Sequence, residues 1–467
     1  MPPLLMIPNA RDNAPNVNPV AEMPIDERPF RVRREGSHRA ARIAPLTASL
    51  KDTLPPESRK GTRVAIRAFS GNIPGRPMSR TATPKAKKKK GAKSSRARKA
   101  DATVNGGDGL AANGSARLSS VIVDSYNLEL RDSQGFVGDR ASGRAFRKLL
   151  EDIRKVLRRE DEDPLGDEPS AEISKSKLDK ALAKGSPEAA GLVHGAIEDF
   201  AQELAHVTKR FLSTEEWAGT ERIVVGGGMK ESRIGELVVG RAAVLLKSCG
   251  IGIDMEMIHH HPDEAGLIGC AHLAPAWIYQ GHDSILAVDV GGSNIRCGIV
   301  SVDVKRNRDL SKASVWKSEL WRHRDDKPSR DEAMERLTGM LKDLIARAEK
   351  GDRKLCPLIG IGVPGVILAD GSIERGGQNL PGNWESSRFN LVHAIREAIP
   401  EIGEHETAVV VHNDAVVQGL SQIPFMQDVT HWGVLTIGTG LGNARFTNRA
   451  ALEGRNDKAG SKAKKKS

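Results

Sequence analysis

Two carboxylates, three glycine-rich bends and a few amide and hydroxyl side chains form the reactive inventory of this chain. In "LAVDVGGSNIRCGIV" (286–300) a strand-like run ends at Asp289 and breaks into Gly291, Gly292, Ser293 and Asn294 before an apolar run resumes. Glycines without a Cβ let backbone N–H groups approach an anion closely. Asp289 could hold a metal ion through water, and Ser293 and Asn294 could donate to phosphate oxygens. The plainer alternative is an ordinary tight turn. A second bend, "TIGTGLGN" (436–443), contains Thr439 and Gly440, and two such hairpin turns could hold a polyphosphate between them. A third, "VVGGGM" (224–229), offers Gly227 and Gly228 as a flat surface for a base or ribose. None is a Walker A or dinucleotide fingerprint, since "GGGMKE" lacks the GK[ST] ending and no GxGxxG opens a βαβ unit. In "VVVHNDAVV" Asn413 and Asp414 stand at a strand end leading into a helix, as reactive groups or as a helix cap. Asn379 in "NLPGNW" reads as a hydrogen-bonding group or a turn residue.

The elements that position these groups alternate. "LSSVIVDSYNLEL" has β-branched strand character and "SGRAFRKLLEDIRKVLRR" an amphipathic helical period. A polar, acidic linker is expected around 159–175. Residues 185–212 give the clearest helix, capped by Ser186, with Pro187 in its first turn and Ile197, Phe200, Leu204, Val207 and Phe211 on one face. Beyond it, strands stopped by glycines alternate with helices such as "ELVVGRAAVLLKS" and "RDEAMERLTGMLKDLIARAEK". The alternation predicts an α/β protein.

The 467 residues suffice for two or three domains, but composition is uneven. Residues 1–117 hold only two aromatics, Phe30 and Phe69, and no sustained period, so a disordered, basic N-terminal region is expected. The formal charge of +11 is concentrated in "KAKKKKGAKSSRARK" (85–99), which has nine Lys or Arg, and in the closing "KAGSKAKKKS". These runs read as solvated tails, or as weak, non-specific, salt-sensitive contacts to nucleic acid. No aromatics interleave them to stack on bases. The opening "MPPLLMIPNARDNAP" is too short and proline-broken for a secretory signal. Four widely spaced cysteines suit reduced thiols. A cytoplasmic protein with no membrane partner is expected. His259, His260 and His261 point in different directions, which favours a loop over a metal site.

Together "DVGGSNIRCGIV", "GIGVPGVI", "GQNLPGNW", "HNDAVV", "TIGTGLG", "IVVGGGM" and "DEAGLIGCA" resemble the ROK family of sugar kinases and sugar-responsive repressors, across roughly residues 118–450. The resemblance implies a two-lobed actin/hexokinase-like (ribonuclease H-like) ATPase fold. In the family the GGG motif comes last; here it precedes the phosphate turn, so the chain looks circularly permuted, with the joint near "CAHLAPAWIYQGHDS". The expected layout is a tail at 1–117, a C-terminal-type lobe at 118–283, an N-terminal-type lobe at 284–450 and a basic tail at 451–467.

The resemblance further implies ATP and Mg²⁺, with a hexose as acceptor. Asp414 would be the general base, with Asn413 and Asn379 on sugar hydroxyls and Asp289 near Mg²⁺ through water. Gly291, Gly292, Ser293, Asn294, Thr439 and Gly440 would cradle phosphates, and Gly227 and Gly228 the adenosine. Relatives often pair as homodimers. Two departures concern the sugar and zinc ends: no Glu-x-x-His loop follows "TIGTGLGNARFTNR", and "GFVGDRASGRAF" places Phe136 where the family has a zinc cysteine and Gly138 where it has a sugar-binding glutamate, with Asp139 adjacent. No zinc is expected. The alternative function is a non-catalytic, sugar- or nucleotide-sensing regulator whose basic tails contact nucleic acid.

Overall fold

The computed structural model describes residues 109–160 and 162–450. Nearly all of the N-terminal region expected to be disordered, and the whole of the 451–467 tail, lie outside the described residues. The principal strands are β1 (Val121–Tyr126), β2 (Arg222–Gly227), β3 (Asp254–Met257), β4 (Ser284–Val290), β5 (Ile295–Ser301), β6 (Ser314–Trp321), β7 (Leu355–Val363), β8 (Ala408–Asn413), β9 (His431–Ile437) and β10 (Leu441–Asn448). The principal helices are α1 (Gly143–Glu160), α2 (Lys175–Lys184), α3 (Pro187–Leu212), α4 (Arg233–Ser248), α5 (Pro262–Cys270), α6 (Arg330–Lys350), α7 (Leu391–Ala398) and α8 (Asp414–Leu420). The α/β expectation therefore holds.

Two five-stranded sheets carry the fold, with orders β1-β10-β9-β2-β3 and β6-β5-β4-β7-β8. Their pairing senses are identical. In the second sheet β4, β5 and β6 form an antiparallel meander, and β7 and β8 add in parallel on the far side of β4. In the first, β9 and β10 form the hairpin and β2 and β3 add in parallel. The third position of that meander is filled by β1, whose Val121 pairs with Asn448. The expected second lobe, 284–450, is thus divided: β4 to β8 build the second sheet, while β9 and β10 hydrogen-bond into the first. Backbone pairing sets this boundary, and chain order does not reveal it.

The central strands β4 and β9 are buried almost throughout, as strands covered on both faces must be, whereas edge strand β6 has no buried residue. Helices α1 to α4 cover the outer face of the first sheet, and α6 and α7 that of the second. Between the sheets lie α5 and α8, whose Leu267, Ile268, Val416 and Val417 share one core with residues of both. These two helices cross in close contact: a Cβ on Gly269 would sit 1.7 Å from the Val417 carbonyl oxygen. The clearest sequence-predicted helix forms as α3, with the Ser186 side chain accepting from Ala189 N–H and the five named apolar residues buried.

The expected linker joins α1 to α2 and folds back around the buried Arg154, which pairs with Asp163 at 2.7 Å and donates to Ser170 at 2.8 Å and to the Gly166 carbonyl at 2.6 Å. One expectation is corrected: order begins before residue 118. Gly114 N–H donates to the Val411 carbonyl at 2.9 Å and the Asn113 side chain accepts from Val411 N–H at 2.9 Å, so this segment lines the free edge of β8 before the chain enters β1 in the other sheet. The unpaired edge of β8 supplies the hydrogen bonds that hold it.

Candidate active site

The first two glycine bends occupy equivalent places, each the turn of its sheet's antiparallel hairpin, β4–β5 in the second sheet and β9–β10 in the first. The turn at 291–294 is closed by Gly291 N–H on the Asn294 carbonyl at 2.8 Å, and that at 438–440 by Gly438 N–H on the Gly440 carbonyl at 2.9 Å. They meet across the cleft, where the Ser293 and Thr439 hydroxyls lie 3.0 Å apart. The start of α1 braces the second turn. Gly143 N–H donates to the Gly438 carbonyl at 2.9 Å and Arg144 Nε to the Thr439 carbonyl at 2.9 Å. Any Cβ at Gly143 would lie 2.8 Å from that Gly438 oxygen. The third bend ends β2, where Gly227 adopts a left-handed φ of 85° and a Cβ would meet the Ile437 carbonyl at 2.4 Å.

All three bends line one cavity of about 390 Å³, shared with Asp289, Asn379 and Asp414. Of the residues named from sequence, Gly227, Gly228, Gly291, Gly292, Ser293, Asn294, Thr439 and Gly440 all reach it. Asn413 does not. It is 2% exposed, its carbonyl oxygen accepts from Ala415 and Val416 N–H, and its amide donates to the Gly365 carbonyl. It is the cap of α8, because an Asn before a helix satisfies otherwise unpaired amides. Phe136, Gly138 and Asp139 line the same cavity, at an end completed by Leu128 and Leu130. There Asn443 holds the 128 backbone by accepting from Leu128 N–H at 3.0 Å and donating to its carbonyl at 3.2 Å. The three histidines do not converge on one point: His259 stacks on Phe425, His260 packs edge-on against both of them, and His261 caps α5.

The carboxylates differ in environment. Burial, reinforced by the charge of Asp289, pushes Asp414 up to about 7. Asp289 is also raised by burial, opposed by Arg296, whose Nη1 lies 3.6 Å from its Oδ2. Asp289 approaches α5 at Gly266, where a Cβ would fall 2.6 Å from its carboxyl carbon. Arg296 also donates from Nε to Asp263 at 2.8 Å. Arg296, Asp263, Gln418 and Asn443 are cavity residues that sequence reasoning passed over. For Arg296 a signal existed: it follows the phosphate turn on β5, two residues after Asn294.

The site suits a polyphosphate. At Gly440 a Cβ would meet no protein atom within 4 Å, so its missing side chain leaves open space beside the cavity. Asp289 and Asp414 offer hard oxygen donors, the kind hydrated magnesium takes. Among the described residues no helix is long and apolar enough to cross a membrane.

Residues 285–461 match the model of the ROK family, as the motifs suggested. No curated protein matches the sequence. Among solved structures, a candidate sugar kinase from Cytophaga hutchinsonii is 19% identical, covering 35% of this chain and 48% of its own, with a TM-score of 0.27. A candidate N-acetylmannosamine kinase from Listeria monocytogenes is 24% identical over 35% of this chain and 47% of its own, with a TM-score of 0.26. The chain thus spans about half the length of these two. The Aquifex aeolicus PPX-GPPA enzyme is 13% identical over 49% of this chain and 83% of its own, with a TM-score of 0.27.

Proposed function

We propose, on the premise of a ROK-type segment at residues 285–461, that the protein is a circularly permuted, actin/hexokinase-like kinase that moves the terminal phosphoryl group of ATP to a hexose hydroxyl. The observation that carries the proposal is the meeting of three glycine bends, drawn from 224–229, 291–294 and 436–443, in one cavity that Asp414 also lines. The matched strand orders of the two sheets support the permutation, since β1 takes the place that would follow β10 in an unpermuted chain.

Asp414 is the base. Held near pH 7 and free of any ion pair, its carboxylate accepts the hydroxyl proton as the sugar oxygen attacks phosphorus. Asp263 is occupied by Arg296 and is not available for that task. Backbone amides of the two hairpin turns hold the phosphates, so catalysis is mainly positioning and charge stabilisation. Asp289 would hold magnesium through water, and the ion would supply neutralisation of phosphate charge. Asn379 orients the sugar, and Gly227 and Gly228 lie against the adenosine.

The test is ADP release by purified protein with ATP, Mg²⁺ and a panel of hexoses. Sugar-dependent release that Asp414→Asn abolishes supports the kinase; equal inertness of both proteins across the panel ends it. One observation favours a second reading, a sugar- or nucleotide-sensing regulator. Leu128, Leu130 and Phe136 stand at the acceptor end, where hydrogen-bonding groups would grip a sugar. Calorimetric sugar or nucleotide binding without turnover would select that reading.

A further inference from the structure

We infer that one segment, residues 321–330, sets the donor and acceptor halves of the site against each other: His323 positions the phosphate turn at 291–294, and Arg330 positions the loop that carries Asn379. The inference rests on the kinase reading above, which places phosphates at that turn and a sugar at Asn379. The two halves meet directly. A Cβ on Gly292 would lie 3.0 Å from the Cβ of Asn379. Both residues line the cavity, and neither lies within a helix or a strand, so sheet and helix hydrogen bonds do not fix their separation.

The segment runs from the last residue of β6 to the first of α6. His323 is 3% exposed, and its Nε2 lies 2.9 Å from the Gly291 carbonyl oxygen. A carbonyl can only accept, so the ring donates and carries its proton on Nε2. The next residue adds a second tie, with Arg324 N–H donating to the Ser293 carbonyl at 3.2 Å. Both ties engage carbonyl oxygens, which a phosphate, itself an acceptor, cannot use. Trp321 packs edge-on against the His323 ring, and its Nε1 donates to Asp326 at 2.6 Å, which closes the segment on itself.

At the other end of the segment Arg330 Nη1 donates to the Asn383 carbonyl at 3.0 Å, and its guanidinium carbon lies 4.7 Å from the centre of the Phe389 ring. Gly382 has φ +73°, and a Cβ on it would lie 2.8 Å from Arg330 N, so the loop backbone rests directly on the start of α6. That start is itself fixed by a capping box of Ser329 and Glu332. Within the loop, Gly377 N–H donates to Glu385 at 2.7 Å and Trp384 Nε1 to the Pro381 carbonyl at 2.7 Å, which braces the chain on both sides of Asn379. Neither His323 nor Arg330 lines the cavity, so each is a positioning residue that acts through the backbone it holds.

The experiment measures calorimetric affinities of the full chain for Mg²⁺–ATP and for each hexose of the panel. His323→Leu should weaken Mg²⁺–ATP binding at least about tenfold and leave hexose affinity within about twofold, and Arg330→Met should do the opposite. A general loss of structure would weaken both ligands together. His323→Gln, which keeps a donor near the Nε2 position, and Arg330→Lys, which keeps a cation beside Asn383, should restore most of each loss. If His323→Leu does not fold, His323→Asn, too short to reach the Gly291 carbonyl, carries the same expectation. Parallel losses of both ligands, or losses below about twofold, would overturn the inference and leave the kinase standing. Wild type binding only one ligand would overturn the half assigned to the other, and wild type binding neither would overturn the inference and the kinase together.

Discussion

In the second sheet the five strands arrive in sequence order, from β4 to β8, whereas the first sheet is completed only when β9 and β10 return to β1 more than 300 residues along the chain. Both sheets nevertheless send a helix from beyond their fifth strand into the cleft, and each helix begins with a cavity-facing aspartate. After β3 it is Asp263 on α5; after β8 it is Asp414 on α8. Asp263 is exposed and gripped by Arg296, while Asp414 is part-buried, free of any ion pair and raised to about 7. The comparison teaches that topology supplies two equivalently placed carboxylates and environment leaves only one of them free of an ion pair and raised, as the proposed base would be.

The largest expected effect breaks that asymmetry. Asp414→Asn should lower sugar-dependent ADP release by about 10²–10⁴-fold, the usual worth of a general base. Asp263→Asn should cost far less in the same assay, and equal losses would mean that the two carboxylates act as a pair.

The pH dependence sharpens the comparison. Asp414 must be ionised to accept a proton, so the transfer rate should rise with pH through about 7 and level off above it. For stability the sign runs the other way. A carboxyl whose folded pKa lies above its unfolded value favours the fold while protonated, and that contribution is lost as pH rises from about 4 through about 7. Asp414→Asn should therefore raise the thermal midpoint more at pH 8 than at pH 4, measured by calorimetry. An equal shift at both would remove burial as the cause.

The lobes are pinned together where α5 crosses α8, and a methyl group at Gly269 has nowhere to go. Gly269→Ala should destabilise the protein by about 3 kcal/mol or more in denaturant titration. At the back of the second sheet Gly114 has φ +59°, and a Cβ there would lie 2.3 Å from the Ile367 carbonyl. Gly114→Ala should release the segment beside β8 at a cost of about 1–2 kcal/mol, with faster hydrogen exchange at Val411. The smallest effect is a gain. Gly240 is exposed within α4 and a Cβ meets nothing, so Gly240→Ala should stabilise by about 0.5–1 kcal/mol.

Much of this was legible in the residues themselves. Apolar runs such as "SILAVDV" and "HWGVLTI" announce buried strands, and glycines at 291 and 438 announce the turns that end them. Ser186 and Pro187 mark the start of α3. Pairing partners were not legible, because a strand's period shows which face is buried and says nothing of its neighbour. Nothing local in Val121 points to Asn448. Side-chain roles were hidden for a similar reason: Asn413 suits either a cap or a ligand, and the distance to Ala415 and Val416 N–H decides for the cap. Arg296 and Gln418 acquire meaning only once α5, α8 and β5 converge.

The most direct test of a shared nucleotide cavity is a calorimetric titration of Mg²⁺–ATP into wild type and Gly440→Val. Gly440 lies outside the left-handed region, and a Cβ there meets no protein atom within 4 Å, so the valine should leave the thermal midpoint unchanged while filling space at the phosphate turn. The account predicts binding by wild type and an affinity at least about tenfold weaker in the variant, some 1.4 kcal/mol. Equal affinity in the two proteins, or no binding by wild type, would contradict it.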